Sequence, residues 1–170
     1  GLLSLFDAVY MSGSCYENFA AERRGEPNFR EQNPLHAPYC ALSKVISEYE
    51  PPDLDRCHVL GRKQDGATLS PIGTQNFGPW EFEFYEGSGG HVRGETVIVC
   101  EKLQLLFSGD IYVNIKGFSQ EQQEFNAIAP LLMTGVDSDP AEARRCRDLL
   151  RETYAGYLFC PGHGTVQRND

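Results

Sequence analysis

Three polar residues of this sequence stand in tight turns that glycine flanks. His91 occurs in Gly-Gly-His, Asp110 in Ser-Gly-Asp and His163 in Pro-Gly-His-Gly. Glycine lets neighbouring backbone approach closely, so the adjoining side chain can project into a shared cavity. Imidazole and carboxylate are ligands that zinc, manganese and iron accept in proteins. The residue types therefore indicate a candidate metal site.

The surrounding sequence places each of these residues at the end of a strand. Strands are predicted, from β-branched and aromatic stretches punctuated by glycine, at residues 80–85, 95–101, 103–107 and 157–160. His91 falls between the first two strands, Asp110 follows the third and His163 follows the last. Loops held at strand ends by a rigid sheet commonly carry catalytic groups. We therefore expect the three side chains to converge on one cavity.

Further helices and strands are predicted around this group. The predicted helices are a helix end at residues 2–6, 16–24 capped by Ser14, 38–50, 119–133, and one that begins at Asp139-Pro140. Two more strands are predicted at residues 8–12, expected to be buried, and at residues 56–60. This alternation predicts layered α/β packing. A length of 170 residues predicts a single domain, 1–170.

Composition and charge exclude several classes of function. The net charge is −9 and the basic residues form no stripe, which argues against a nucleic-acid partner. No apolar run approaches the roughly 20 residues that a membrane helix needs, so no membrane association is expected. The six cysteines show no C-x-x-C spacing, which favours reduced thiols in a cytoplasmic protein.

Simpler interpretations compete with the metal site. A histidine beside glycine is more often a turn residue than a ligand, and Ser-Gly-Asp is a common turn. His36 is interpreted as a surface residue at a helix entry and His58 as a structural residue of a strand. Cys160 is interpreted as a buried strand-end cysteine rather than a reactive thiolate.

The order of the motifs along the chain favours the metal-site interpretation. Over residues 78–165, the series GGH-x-x-GE, two strands, LLFSGD, two helices, a strand and PGHG resembles the downstream part of the metallo-β-lactamase superfamily. The resemblance implies an αβ/βα sandwich with two divalent metal ions. Zinc is the expected metal, with iron or manganese as alternatives. The resemblance also implies that His91 binds the first ion, that the catalytic Asp110 bridges both, and that His163 binds the second. The implied reaction is attack by a metal-activated water on an ester, thioester, lactone or amide bond of a small molecule.

The sequence departs from this family in two places. The H-x-H-x-D-H element is absent, and the opening GLLSLFDAVYMS resembles the segment that follows it in the family. Residues 93–95, Arg-Gly-Glu, replace a Thr-x-Gly-Ser-like stretch, which leaves the substrate open. We therefore expect the C-terminal two-thirds of such a fold, incomplete at its N-terminus.

This incompleteness has consequences for metal binding and for partners. Stable zinc sites use three or four protein ligands, so the chain alone is expected to bind metal partially or not at all and to be inactive. An upstream segment, a second chain or a homo-oligomer is expected to cover apolar surface along residues 8–11. Two alternatives remain open: a di-iron redox protein of the same fold, and a metal-free binding or scaffold module.

Overall fold

The fold is described by a computed structural model covering residues 6–133 and 135–170, without the side chains of residues 129 and 130. Strands β1 (Val9–Met11) and β2 (Cys57–Val59) form a parallel pair. Six further strands form a second sheet, in the spatial order β3 (Leu69–Phe77), β4 (Trp80–Gly87), β5 (Thr96–Cys100), β6 (Leu105–Gly109), β7 (Leu158–Pro161) and β8 (Gln167–Arg168). All neighbours in this sheet are antiparallel except β6 and β7, which are parallel.

In the described part of the chain, four α-helices accompany the sheets. They are α1 (Gly13–Arg23), α2 (Ala37–Ile46), α3 (Gln120–Met133) and α4 (Pro140–Thr153). The predicted start of α4 is confirmed, because the Asp139 side chain accepts hydrogen bonds from the first-turn amides of Ala141 and Glu142. The cap predicted for α1 is wrong: Ser12, not Ser14, accepts a hydrogen bond from the Cys15 amide.

Helix α4 covers one face of the larger sheet and forms the core with it. Inward-facing residues of the central strands meet the buried side of the helix, and this cluster contains Val97, Val99, Leu106, Phe159, Cys146 and Leu150. The alternation of buried and more exposed residues along β5 and β6 follows the two-residue period of a strand. The core therefore lies directly beneath the loops that carry the candidate site.

The opposite face of the larger sheet carries a second apolar row. Phe84, Ile98 and Phe107 are cross-strand neighbours there, and Val9 and Tyr10 of β1 line the same groove. Helix, sheet and a second small sheet thus lie in layers. The predicted α/β class is confirmed and the layering is consistent with an αβ/βα sandwich, whereas incompleteness at the N-terminus stays a prediction.

Several local predictions differ from the structure. The helix end predicted at residues 2–6 lies outside the described residues except for Phe6. The strand predicted as buried at residues 8–12 exposes 42% of Tyr10, and the apolar side of α2 is open, with Val45 77% exposed. Strands β3 and β8 were not predicted. Within the described part of the chain, no helix is long and apolar enough to cross a membrane, and all six cysteines are free.

Candidate functional site

The topology of the larger sheet brings the three predicted residues to the same end of its central strands. Asp110 and His163 follow β6 and β7, which are parallel neighbours with Gly109 opposite Pro161. Strand β5 runs antiparallel to β6, so the start of β5 lies beside the end of β6. The β4–β5 loop that carries His91 therefore lies at the same end of the strands. His91, Asp110 and His163 all line a cavity of about 810 Å³. The expected convergence is therefore observed.

Two glycines permit the close approach of these loops. A Cβ atom at Gly162 would lie 2.1 Å from Oδ1 of Asp110, and one at Gly90 would lie 2.1 Å from the amide nitrogen of Ala143 in α4. Real Cβ atoms do not come this close to other heavy atoms. Any side chain at position 162 would therefore displace the Asp110 carboxylate, and any at position 90 would push the His91 loop off α4.

The Asp110 carboxylate lies between the two imidazoles. Its Oδ2 atom is 3.8 Å from Nε2 of His91, and its Oδ1 atom is 3.5 Å from Nε2 of His163. Both separations exceed a normal hydrogen bond. Ligands 2.0–2.2 Å from one tetrahedral zinc ion lie about 3.4 Å apart, so these spacings resemble those between ligands that share an ion. The site opens toward His163, whose side chain is 54% exposed against 11% for His91.

Neighbouring polar groups fix the orientation of His91. Nδ1 of His91 lies 3.0 Å from Oδ1 of Asp137, and Arg147 binds the other oxygen of Asp137 at 3.1 Å. A carboxylate only accepts hydrogen bonds, so Nδ1 carries the proton and donates it. Metal-binding histidines commonly make this contact, which directs the lone pair of the other ring nitrogen at the ion. Here that nitrogen is Nε2, the atom that faces Asp110.

A guanidinium group contacts the same nitrogen. Nη2 of Arg30 lies 3.2 Å from Nε2 of His91, and it also donates to the backbone oxygens of His91 and Val136, at 3.3 and 3.0 Å. Arginine has no acceptor, so Nε2 accepts in this contact. A metal ion on His91 would need the same lone pair. Arg30 and a metal ion are therefore alternative partners of His91.

The loop that carries His91 is held by the half-buried carboxylate of Glu95. Oε1 of Glu95 accepts a hydrogen bond from the amide of Gly89 and Oε2 accepts one from the amide of Val92, both at 3.2 Å. Burial raises the pKa of Glu95 from its ordinary 4.5 to about 7, although the backbone amides act in the opposite direction. Glu95 therefore holds the loop while it changes charge near neutral pH.

The loop after β7 is tied to the segment after β6. The amide of Asn114 donates to the backbone oxygen of His163 at 3.1 Å, and Nδ2 of Asn114 donates to the backbone oxygen of Thr165 at 3.0 Å. Gly164 has a φ of +96°, and a Cβ atom there would lie 1.7 Å from the backbone oxygen of Asn114. These contacts hold His163 beside Asp110 although its ring is largely exposed.

The donor set fits a divalent metal by type but not by number. Two imidazole nitrogens and a carboxylate with one oxygen toward each are ligands that zinc, iron and manganese accept. Within residues 6–133 and 135–170, however, no group of three or more His, Cys, Asp or Glu side chains is placed so that it could hold an ion by itself. Residues from elsewhere would have to complete each coordination shell.

The remaining histidines and Cys160 lie in different surroundings. The surface position predicted for His36 is wrong: the residue precedes α2 as expected, but it is only 3% exposed. Burial, with the charge of Arg30, lowers the pKa of His36, whereas the backbone of Gly135 acts in the opposite direction. His58 is exposed on β2 with its ring 5.5 Å from Tyr10. Burial raises the pKa of the Cys160 thiol, which opposes a thiolate role.

Sequence reasoning missed three residues that shape this site. Arg30 belongs to an irregular stretch between α1 and α2 that matches no motif, and it lies 61 positions from His91. Asp137 lies just before the cap of α4, where an acidic residue is ordinary, and Asn114 lies in a loop. Only Asp137 offers a usable signal, because a histidine ligand is usually supported by a carboxylate.

Comparisons with known proteins add little to this geometry. No protein-family model matches the chain, and no curated protein sequence matches it. Among solved structures, a metallo-beta-lactamase from Pontibacter korlensis is similar with a TM-score of 0.44 and 18% sequence identity. The match covers 88% of this chain and 56% of that protein, so the chain spans little more than half of its length. A likeness at this level carries no weight for function.

Proposed function

We propose that this chain supplies part of a dinuclear metal site in a metal-dependent hydrolase. In this proposal His91 binds one divalent ion, His163 binds the other and Asp110 bridges both. The ions are zinc, with iron or manganese as alternatives. The bond cleaved is of the ester, thioester, lactone or amide type.

One observation carries the proposal. The two oxygens of Asp110 face the Nε2 atoms of two different histidines, at 3.8 and 3.5 Å, as a bridging carboxylate requires. The proton of the His91 ring is held on Nδ1 by Asp137, which leaves the lone pair on Nε2, the atom that faces Asp110. The sequence order of the three residues supports the same assignment through its resemblance to the metallo-β-lactamase superfamily.

The residues of the chain have separate parts in the proposed chemistry. When bound, a pair of divalent ions would supply Lewis acidity and lower the pKa of a water from 15.7 toward about 7. Asp110 would hold both positions at a fixed spacing. Asp137, neutralised in turn by Arg147, would keep the His91 ring oriented. The open side near His163 would admit the substrate.

The cavity and the apolar surface bear on the partners of the chain. A volume of about 810 Å³ lies within the range of small-molecule sites, roughly 300–1,000 Å³. The groove on the other sheet face leaves Phe6 57%, Phe77 51% and Phe107 39% exposed. Such a patch supports the proposal that an upstream segment, a second chain or another copy of this chain covers it.

The test is metal content and hydrolysis in the full-length encoded protein. Elemental analysis is expected to give two metal ions per chain in the wild type. Asp110→Ala should lower hydrolysis of the preferred ester, thioester, lactone or amide by at least about 100-fold and weaken metal binding, the scale of losing one group that organises the reacting charge. His58→Ala is the control and should retain both properties. Full metal content and activity in Asp110→Ala would contradict the proposal.

A second candidate is favoured by one specific contact. Arg30 occupies the lone pair of His91 that the first ion would need, which suits a metal-free binding module. Under this alternative the full-length protein would take up no metal and no variant would change a hydrolysis rate. A di-iron redox protein has no comparable support, and an iron content with a visible spectrum would distinguish it from the hydrolase.

A further inference from the structure

Arg30 differs from Arg147, the other arginine that lines the cavity, in having no carboxylate partner. Arg147 is paired with Asp137. Within the described residues, Arg30 forms no ion pair, and its contacts are one ring nitrogen and two backbone oxygens. The chain as a whole carries a net charge of −9. A lone guanidinium at this cavity is therefore a local exception.

The free donors of Arg30 are suited to an anion. All its hydrogen bonds to described residues come from Nη2, so Nε and Nη1 make none, and Arg30 is among the residues that line the cavity. A guanidinium presents its donors as a planar fork that matches the two oxygens of a carboxylate. Because Arg30 is half-buried, its charge is only partly solvated, and an anionic ligand would offset that loss of solvation.

The rest of the cavity indicates what the anion is attached to. The wall includes Val113, Ile115, Phe118, Phe125 and Val136, which are apolar, while Asp110 faces the same space. An apolar chain fits this wall. One guanidinium neutralises a single negative charge, and a dianion would in addition be repelled by Asp110, so a monoanion is favoured.

We propose that Arg30 binds the carboxylate of the substrate, and that the substrates are carboxylate-bearing small molecules with an apolar portion. Arg30 is then a specificity-determining residue, and its contact with His91 is the arrangement of the site without ligand. The inference rests on the proposed function only in treating the bound molecule as a substrate. Its test requires no metal, however, so the two can fail separately.

The test compares hexanoate with the neutral hexanamide on the metal-free chain, followed by chemical-shift changes of backbone amides in NMR titrations. Wild type should bind hexanoate about tenfold more tightly than hexanamide, the scale of one hydrogen bond to a charged group. Arg30→Met should remove this preference and Arg30→Lys should retain part of it. The matched control is Arg93→Met, because Arg93 is exposed, pairs with Glu17 and stacks on Phe29 outside the cavity.

Each outcome bears on the inference. Equal binding of the two probes by the wild type, or a preference that survives Arg30→Met, would overturn it. Circular dichroism reports whether Arg30→Met folds. If this variant does not fold, the wild-type comparison and Arg30→Lys decide. A full preference for hexanoate in Arg30→Lys, together with loss of that preference in Arg93→Met, would also overturn the inference. A zinc titration of the full-length encoded protein distinguishes the two proposals, because absence of zinc binding there with an intact Arg30-dependent preference refutes only the metal site.

Discussion

The pKa of Glu95 predicts how the stability of the chain depends on pH. The folded protein holds a proton on Glu95 up to about pH 7, whereas the unfolded chain releases it near its ordinary value of 4.5. Between these values the folded state binds more protons, so the free energy of unfolding falls as pH rises. At 1.36 kcal/mol for each pH unit, the difference between 4.5 and about 7 corresponds to roughly 3 kcal/mol. This stability is fully present below pH 4.5 and is lost as pH rises through 7.

The substitution Glu95→Gln isolates this effect. Glutamine stays neutral at every pH and keeps one oxygen to accept from the amide of Gly89 or Val92. Urea unfolding at pH 5 and pH 8 should show a loss in the wild type that exceeds the loss in Glu95→Gln by roughly 2–3 kcal/mol. Glu81→Gln, an exposed carboxylate on β4, is the control and should behave as the wild type. Equal pH dependence in the wild type and Glu95→Gln would refute the reasoning.

Three further substitutions test the geometry of the site, each by zinc titration of the full-length encoded protein. Gly162→Ala places a methyl group 2.1 Å from Oδ1 of Asp110. Zinc affinity should therefore fall about tenfold and the free energy of unfolding by about 1–3 kcal/mol. Unchanged zinc affinity would show that Asp110 is not a ligand. Asp137→Asn removes the carboxylate acceptor that fixes His91 and should cost about 10- to 100-fold in zinc affinity, and no loss would show that this contact does not orient the ring. Arg30→Met removes the group that competes for Nε2 of His91 and should raise zinc affinity about tenfold, whereas a fall would mean that Arg30 supports the metal site.

Elements with local chemical signals were predictable from the sequence. The start of α4 follows from Asp139 and Pro140, which are residue types favoured at the cap and in the first turn of a helix. The strands before Asp110 and His163 follow from short apolar runs that end in glycine-rich turns. The convergence of the three candidate residues then followed from their positions at strand ends, and their roles as metal ligands remain predictions.

Strand β3 was missed because its sequence contains residues typical of loops. Pro71 and Gly73 interrupt the pattern, and the pairing of β3 with β4 shifts register between these two residues. A proline is tolerated there because β3 is the edge strand of its sheet and one side of its backbone needs no partner. No local pattern reveals which strand will lie at an edge.

The positioning groups of the site were missed because they depend on contacts between distant segments. Asp137 lies 46 positions from His91, and neither residue indicates the other by spacing. His36 stands between two prolines in a stretch typical of an exposed turn, yet it is only 3% exposed. Tertiary packing, which the local sequence does not encode, decided both cases.

The most direct test of the central claim is a zinc titration of the full-length encoded protein, followed by ¹H–¹⁵N NMR of the histidine side chains. Single substitutions assign the rings of the four histidines in this sequence. The account predicts that the Nε2 resonances of His91 and His163 shift on addition of zinc, that both responses disappear in Asp110→Ala, and that His58 does not respond. Zinc-dependent shifts confined to His36 and His58, or shifts of His91 and His163 that persist unchanged in Asp110→Ala, would contradict it.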